Sequence, residues 1–204
     1  MKILLTKILF ILFPLSLLAQ QQTIKVSARA THIDSSPIFK TTVSLSTSFS
    51  SYAGETMNLK QLKEHYKAAL VIKNIPWETV KETPNGFGFE TMGYDKEGVV
   101  LEYTSSSVKE MKRFLTTKSL GLQKLNTIAI IEIDPEEAKE LYKKALENAH
   151  MKAQAIAFAM DRELGKILQV EDNLFTGQKI ETSIYYDRPA GEYILSIQIV
   201  FEVI

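Results

Sequence analysis

The chain has 204 residues and no cysteine. That excludes disulfides, thiol nucleophiles and thiolate metal sites together, and a fold of this length has to stand on its core alone. Histidine is scarce: His32, His65 and His150 are the three present, and none stands in a ligand spacing such as H-E-x-x-H. A surplus of either charge is also missing. Lys and Arg total 24 and Asp and Glu total 24, which argues against nucleic acid as a partner. No G-x-S-x-G occurs, and Gly86-Phe87-Gly88-Phe89 lacks the third glycine and the following helix of a dinucleotide loop.

Long apolar runs are few, and the main one lies at the start. Lys2 and Lys7 precede an apolar stretch from Ile8 to Leu18, which ends at Ala19 before Gln20-Gln21-Gln22. This is the charged, apolar and small-residue order of a cleavable signal peptide. As a helix, Ile8–Ala19 covers about 18 Å of a hydrocarbon core of about 30 Å, and Pro14 weakens it further. We expect residues 1–19 to be a signal peptide and 20–204 one domain, exported and without a transmembrane segment after cleavage. The periplasm is the expected compartment, with secretion or outer-membrane association as alternatives. No cysteine follows the apolar run to carry a lipid.

The stretch with the most local order is Asp134 to Gly165. Asp134 suits an N-cap, Pro135 the first helical position, and Glu136 and Glu137 complement the helix dipole. Gly165 is the expected C-terminal stop. Ala138, Tyr142, Ala145, Ala149, Ala153, Ile156, Met160 and Leu164 recur at steps of 3 and 4, a helical stripe whose small side chains allow a close partner.

Around this helix the chain alternates strands and shorter helices. Ile24, Val26, Ala28 and Ala30 mark a first strand, followed by a turn at Asp34-Ser35-Ser36-Pro37. A second strand sets Val43, Leu45, Thr47 and Phe49 against a wet face of Thr42, Ser44, Ser46 and Ser48. Asn58 caps a helix with Leu59, Leu62, Tyr66 and Leu70 inward. Trp77–Thr83 reads as a strand, Pro84-Asn85-Gly86 breaks it, and Phe87, Phe89, Gly93 and Asp95–Gly98 suggest a hairpin returning through Val99, Leu101 and Tyr103. A helix over Ser106–Ser119 places Val108, Met111, Phe114 and Leu115 inward and stops at Gly121. Ile128–Ile133 is apolar on both faces. Beyond Gly165 come a strand at Ile167, Leu168 and Val170, a connector from Asn173 to Gly191, and a last strand through Tyr193, Leu195, Ile197, Ile199, Phe201 and Val203. The fold class is α+β: a mixed β-sheet with one long Ala-rich helix and two shorter helices packed mainly on one face.

The segment Ala145–Ala157, continuing to Leu164-Gly165-Lys166-Ile167, resembles the signature of the SIMPL-domain family. The shared pattern is an Ala-rich helix with A-x-x-x-A and K-A-x-x-[IL]-A, then L-G-K-[IV] opening a strand. The order of the remaining elements agrees over Thr23–Ile204. The resemblance implies an exported bacterial protein of unknown biochemical activity, linked to the cell envelope and to oxidative stress. Some such proteins form ring-like or channel-like oligomers, and no catalytic residues are agreed for them.

The residues themselves give little chemistry. Ser105-Ser106-Ser107 falls at a strand-to-helix junction and reads as an N-cap. Glu136/Glu137 is accounted for by the helix dipole and Glu171/Asp172 by a strand end. No catalytic residue, cofactor or metal site is assigned, and a hydrolase is the least supported reading. The candidate partner-binding residues are Tyr185, Tyr186 and Arg188 in the 173–191 connector, because Tyr and Arg are the types that anchor interfaces. The expected function is that of a non-enzymatic envelope protein that self-associates as a homo-oligomer, with an envelope protein as a possible further partner. The alternative is a monomeric binding module for a small molecule or a protein, acting through that connector.

Overall fold

The computed structural model describes residues 22–49, 57–83, 97–172 and 179–204. The expected signal peptide, the Pro84–Gly86 break, and Phe87, Phe89 and Gly93 of the hairpin lie outside those residues. In chain order the elements are β1 (Thr23–Ile33), β2 (Ile38–Ser46), α1 (Leu59–Ile72), β3 (Val80–Thr83), β4 (Gly98–Ser105), α2 (Val108–Leu115), β5 (Leu122–Glu132), α3 (Pro135–Ala159), β6 (Leu164–Glu171), β7 (Lys179–Ser183) and β8 (Glu192–Val203). The α+β class holds. The strands form two antiparallel sheets rather than one mixed sheet, ordered β1-β8-β6 and β3-β4-β2-β5-β7. They belong to two compact units. Of the described residues, the three-stranded unit takes 22–32, 135–172 and 194–204, and the five-stranded unit takes 33–49, 57–83, 97–134 and 179–193.

In the five-stranded unit β2 is central, paired antiparallel with β4 on one side and β5 on the other. The burial along β2 overturns the wet-face reading of its serines. Ser44 and Ser46 are buried beside Val43 and Leu45, while Lys40 and Thr42 on the same face are half-buried. Ser46 meets the cost of burial with hydrogen bonds: its Oγ donates to the Glu97 carbonyl at 3.0 Å and accepts from the Ser48 amide at 3.0 Å. A register shift between Thr42 and Val43 leaves Leu125 of β5 as the extra residue.

Helices α1 and α2 share the core of this unit. Asn58 and Gln61 form a reciprocal capping box at the start of α1, with Leu62, Tyr66 and Leu70 buried as expected. Tyr103 and Phe114 stack with centroids 4.4 Å apart, and Tyr66 meets Phe114 and Trp77 edge-on. Each such buried ring contributes about 1.5–3 kcal/mol of transfer free energy. Several boundaries differ from the sequence reading: β2 ends at Ser46, before a 3₁₀ turn over Thr47–Phe49, and β5 already begins at Leu122. Trp77–Thr79 is a 3₁₀ turn, closed by the Thr79 amide on the Pro76 carbonyl, so the strand begins at Val80. Helix α2 ends at Leu115 and leaves Val108 exposed, while Met111 and Phe114 point inward. Gly121 therefore ends no helix. It takes a φ of +70° where a Cβ would stand 2.7 Å from the Ser46 carbonyl oxygen.

In the three-stranded unit α3 contributes Ala138, Leu141, Ala145, Ala149, Ala153 and Ala157 to the core. Opposite them, Ile24, Val26, Ala28 and Ala30 of β1 and Leu195, Ile197, Ile199 and Phe201 of β8 are all buried. Leu141 and Ala157 thus replace Tyr142 and Ile156 in the expected stripe. The helix also stops six residues before Gly165. Asp161 adopts φ +53°, and the Arg162 amide reaches back to the Ala157 carbonyl while the Asp161 amide bonds Phe158, which closes a Schellman motif without glycine. Gly165 instead lies in β6, where a Cβ would come within 2.9 Å of Glu202 Cβ. Two register shifts along the β6–β8 pair align Leu164, Ile167 and Val170 with Val203, Phe201 and Ile199.

Candidate functional site

The connector expected over 173–191 is shorter than it reads in sequence, because Lys179–Ser183 pairs with β5 as strand β7. Residues 173–178 lie outside the described ones. What remains is the β7–β8 loop, held at its far end. The Glu192 amide bonds the Pro189 carbonyl at 3.3 Å, and the Asp34 amide bonds the Gly191 carbonyl at 3.3 Å. Gly191 sits at φ +83°, a conformation that strains any side chain, and a Cβ there would press to 3.1 Å on Pro37 of the β1–β2 turn. The turn itself is set by Asp34, whose Oδ1 accepts from the Ser36 amide at 2.7 Å.

On this anchored loop the three candidate residues sit differently from one another. The Arg188 guanidinium lies 5.1 Å from the centre of the Tyr185 ring, within cation–π range, and its Nη1 is 3.7 Å from Glu192 Oε2. Tyr185 and Arg188 thus form one pair. Tyr186 stands apart, fully exposed at 103%. A packed loop would have folded its aromatic rings onto the sheet, and this one presents them to solvent.

A second feature belongs to the three-stranded unit. Along the outer edge of β1, the Ser27 and Arg29 carbonyls accept from Lys152 Nζ at 3.1 Å and Asn148 Nδ2 at 2.9 Å. These donors are four residues apart on α3 and cap alternate carbonyls of an edge strand that would otherwise invite pairing. Past Arg29 the capping ends and a groove of about 370 Å³ opens. Thr31 and His32 form one wall, and Glu136, Glu137, Glu140, Leu141 and Lys144 of α3 the other. The buried Nε2 of His32 has no hydrogen-bond partner among the described residues. The sequence reading missed this groove. Glu137, Glu140 and Lys144 do stand at helical steps of 3 and 4, which marks one side of α3, but nothing in the chain order places Thr31 and His32 beside them.

The other polar candidates are occupied structurally. Ser107 Oγ caps α2 by accepting from the Glu110 amide at 3.3 Å. Ser105 Oγ donates to Glu110 Oε2 at 2.7 Å and accepts from the Ser107 amide at 2.9 Å, a capping box relayed through one extra hydroxyl. His65 Nδ1 lies 3.5 Å from Ser119 Oγ in an exposed position, beyond the about 2.6–3.2 Å reach of a nucleophile and its base. His150 meets Phe201 edge-on. Asp172, read as one of two strand-end carboxylates, accepts a hydrogen bond from Tyr142. Among the described residues no three His, Asp or Glu side chains are placed to hold a metal ion, and no helix is long and apolar enough to cross a membrane. Large apolar side chains are nevertheless exposed on α3, just past its end and along β6: Phe158 at 83% and Met151 mostly exposed, with Met160, Ile167 and Val170 about half exposed.

The pattern that defines SIMPL, a family described as proteins of unknown function (DUF541), matches residues 40–193. The chain belongs to the SIMPL family. The matched span holds the β7–β8 loop and all of α3, and leaves β1 and most of β8 outside. It is narrower than the Thr23–Ile204 stretch over which the sequence resembles the family. No curated protein matches the chain. The SIMPL description supplies no reaction, so the case for a function rests on the surfaces above.

Proposed function

We propose that this SIMPL protein is an exported, non-catalytic component of the cell envelope that works as a self-assembled homo-oligomer. The observation that carries the reading is the β7–β8 loop. It holds a fully exposed Tyr186 beside a Tyr185–Arg188 pair on a backbone anchored at Gly191. Tyr and Arg are the residue types that anchor interfaces, and an anchored loop loses little entropy on docking. Support for a non-catalytic role comes from Ser105 and Ser107, whose hydroxyls are engaged in capping. Export rests on the sequence of residues 1–19, and the attachment to envelope integrity, including under oxidative stress, rests on the family resemblance alone.

The test is to express the full chain in a Gram-negative host, release the periplasm, cross-link it and read intact masses. The proposal expects a product lacking residues 1–19 and a ladder of cross-linked multimers. Full-length protein retained in the cytosol would remove export, full-length protein in the membrane fraction would remove cleavage, and monomer alone at every cross-linker dose would remove assembly.

The same loop supports a second reading, a monomeric module that holds another protein through Tyr185, Tyr186 and Arg188. Replacing all three with Ala would then abolish capture of that partner while leaving the mass of the chain unchanged. Retained capture would remove this choice of site.

A further inference from the structure

The self-assembly reading leaves open what the β7–β8 loop docks against, and the chain carries a surface whose chemistry matches it. The loop offers one large amphipathic side chain, Tyr186, followed by charges of opposite sign, Asp187 and Arg188. The groove between Thr31–His32 and α3 offers the converse. It has an apolar floor at Leu141, three carboxylates at Glu136, Glu137 and Glu140, and one cation at Lys144. Its volume of about 370 Å³ is ample for one aromatic side chain and small for a whole helix or strand.

We propose that Tyr186 and Arg188 of one copy dock into this groove on a second copy. Tyr186 lies over Leu141 beside His32, Arg188 faces the carboxylates of α3, and Asp187 faces Lys144. The inference rests on the self-assembly reading and names the partner surface for the loop. Loop and groove are different surfaces of one chain, so two copies can exchange loops about a two-fold axis, or each copy can give a loop to one neighbour and accept one from another; the solution mass distinguishes a dimer from a higher assembly. The Lys152 and Asn148 bonds to β1 fit the same arrangement. They cover the edge strand up to Arg29 and leave the groove beyond it as the accessible part of that border.

The chemistry fixes the experiment, a charge-reversal cycle on the signal-cleaved chain followed by light scattering. Arg188→Glu and Glu140→Arg each place like charges across the contact. Both positions are exposed, and unchanged circular dichroism and thermal melting would show that each variant folds. Each single variant is expected to weaken association at least about tenfold and to shift the mass toward the monomer. The double variant restores opposite charges and is expected to recover multimers, as is an equimolar mixture of the two single variants. Association of the wild type is also expected to weaken as salt rises. If the wild type is multimeric and the single variants keep its mass, or the double variant fails to recover it, the docking is overturned while self-assembly stands. That outcome would leave the groove for another occupant, such as a basic peptide. A wild type that is monomeric throughout overturns both.

Discussion

Tyr66 shows how a single residue can be placed correctly from sequence while its chemistry stays hidden. The helical spacing with Leu62 and Leu70 puts it on the inner face of α1, and it is fully buried. Its hydroxyl has no partner among the described residues, which no one-dimensional pattern could show. Tyr66→Phe keeps the edge contacts with Trp77 and Phe114 and deletes an uncompensated polar atom. We expect the variant to be as stable as the wild type, or more stable by about 1 kcal/mol, in urea denaturation. A loss of several kcal/mol would reveal a hydrogen-bond partner. Burial also raises the ionisation of the Tyr66 phenol above its ordinary value of 10.0, and burial followed by the nearby Glu110 charge does the same at Tyr103. A pKa raised on folding means that the unfolded chain ionises first. Stability is therefore intact below pH 10 and falls above it, by about 1.4 kcal/mol per pH unit for each such group until the folded form also ionises. Tyr66→Phe should flatten that alkaline decline, and an unchanged slope would contradict the assignment. Ser44 and Ser46 carry the opposite lesson. Their alternation with Val43 and Leu45 is the pattern of a half-exposed strand, but the pattern cannot report that the second face is buried at these two positions.

At the scale of elements, α3 was legible in type, start and small-residue face, and illegible at its end. Met160 and Leu164 continue the helical steps and Gly165 looks like a stop, so the sequence favours a longer helix. The chain turns earlier because Asp161 takes a left-handed conformation that glycine adopts at less cost. Asp161→Gly should therefore leave stability unchanged or raise it by about 1 kcal/mol in thermal melts. A clear loss would mean that the aspartate side chain itself holds the cap. Gly165→Ala tests the other half of the correction. Its new Cβ would meet Glu202 Cβ at 2.9 Å, and the resulting strain between β6 and β8 should cost about 1–3 kcal/mol. In the middle of the helix, Ala149 is fully buried against the sheet. Ala149→Leu should cost a similar amount through overpacking, and tolerance of the larger side chain would argue against close helix–sheet contact. The split into two sheets was not legible, because alternation along a strand identifies its buried face but not its neighbours.

At the scale of the molecule, a composition without cysteine, with few histidines and with balanced charge pointed away from thiol, metal and nucleic-acid chemistry. The Ala-rich helix and the element order pointed to SIMPL, and the family match over residues 40–193 shows it. Tyr185, Tyr186 and Arg188 could be chosen from residue type and loop position, whereas the groove beside Thr31 and His32 needed the fold to bring β1 and α3 together. The central claim is that the mature chain self-assembles. The most direct test is the solution mass of Gln20–Ile204 by light scattering across a dilution series at physiological salt. A discrete multimer that persists on dilution is the predicted result. A mass that stays at one chain at the highest concentration would contradict the account.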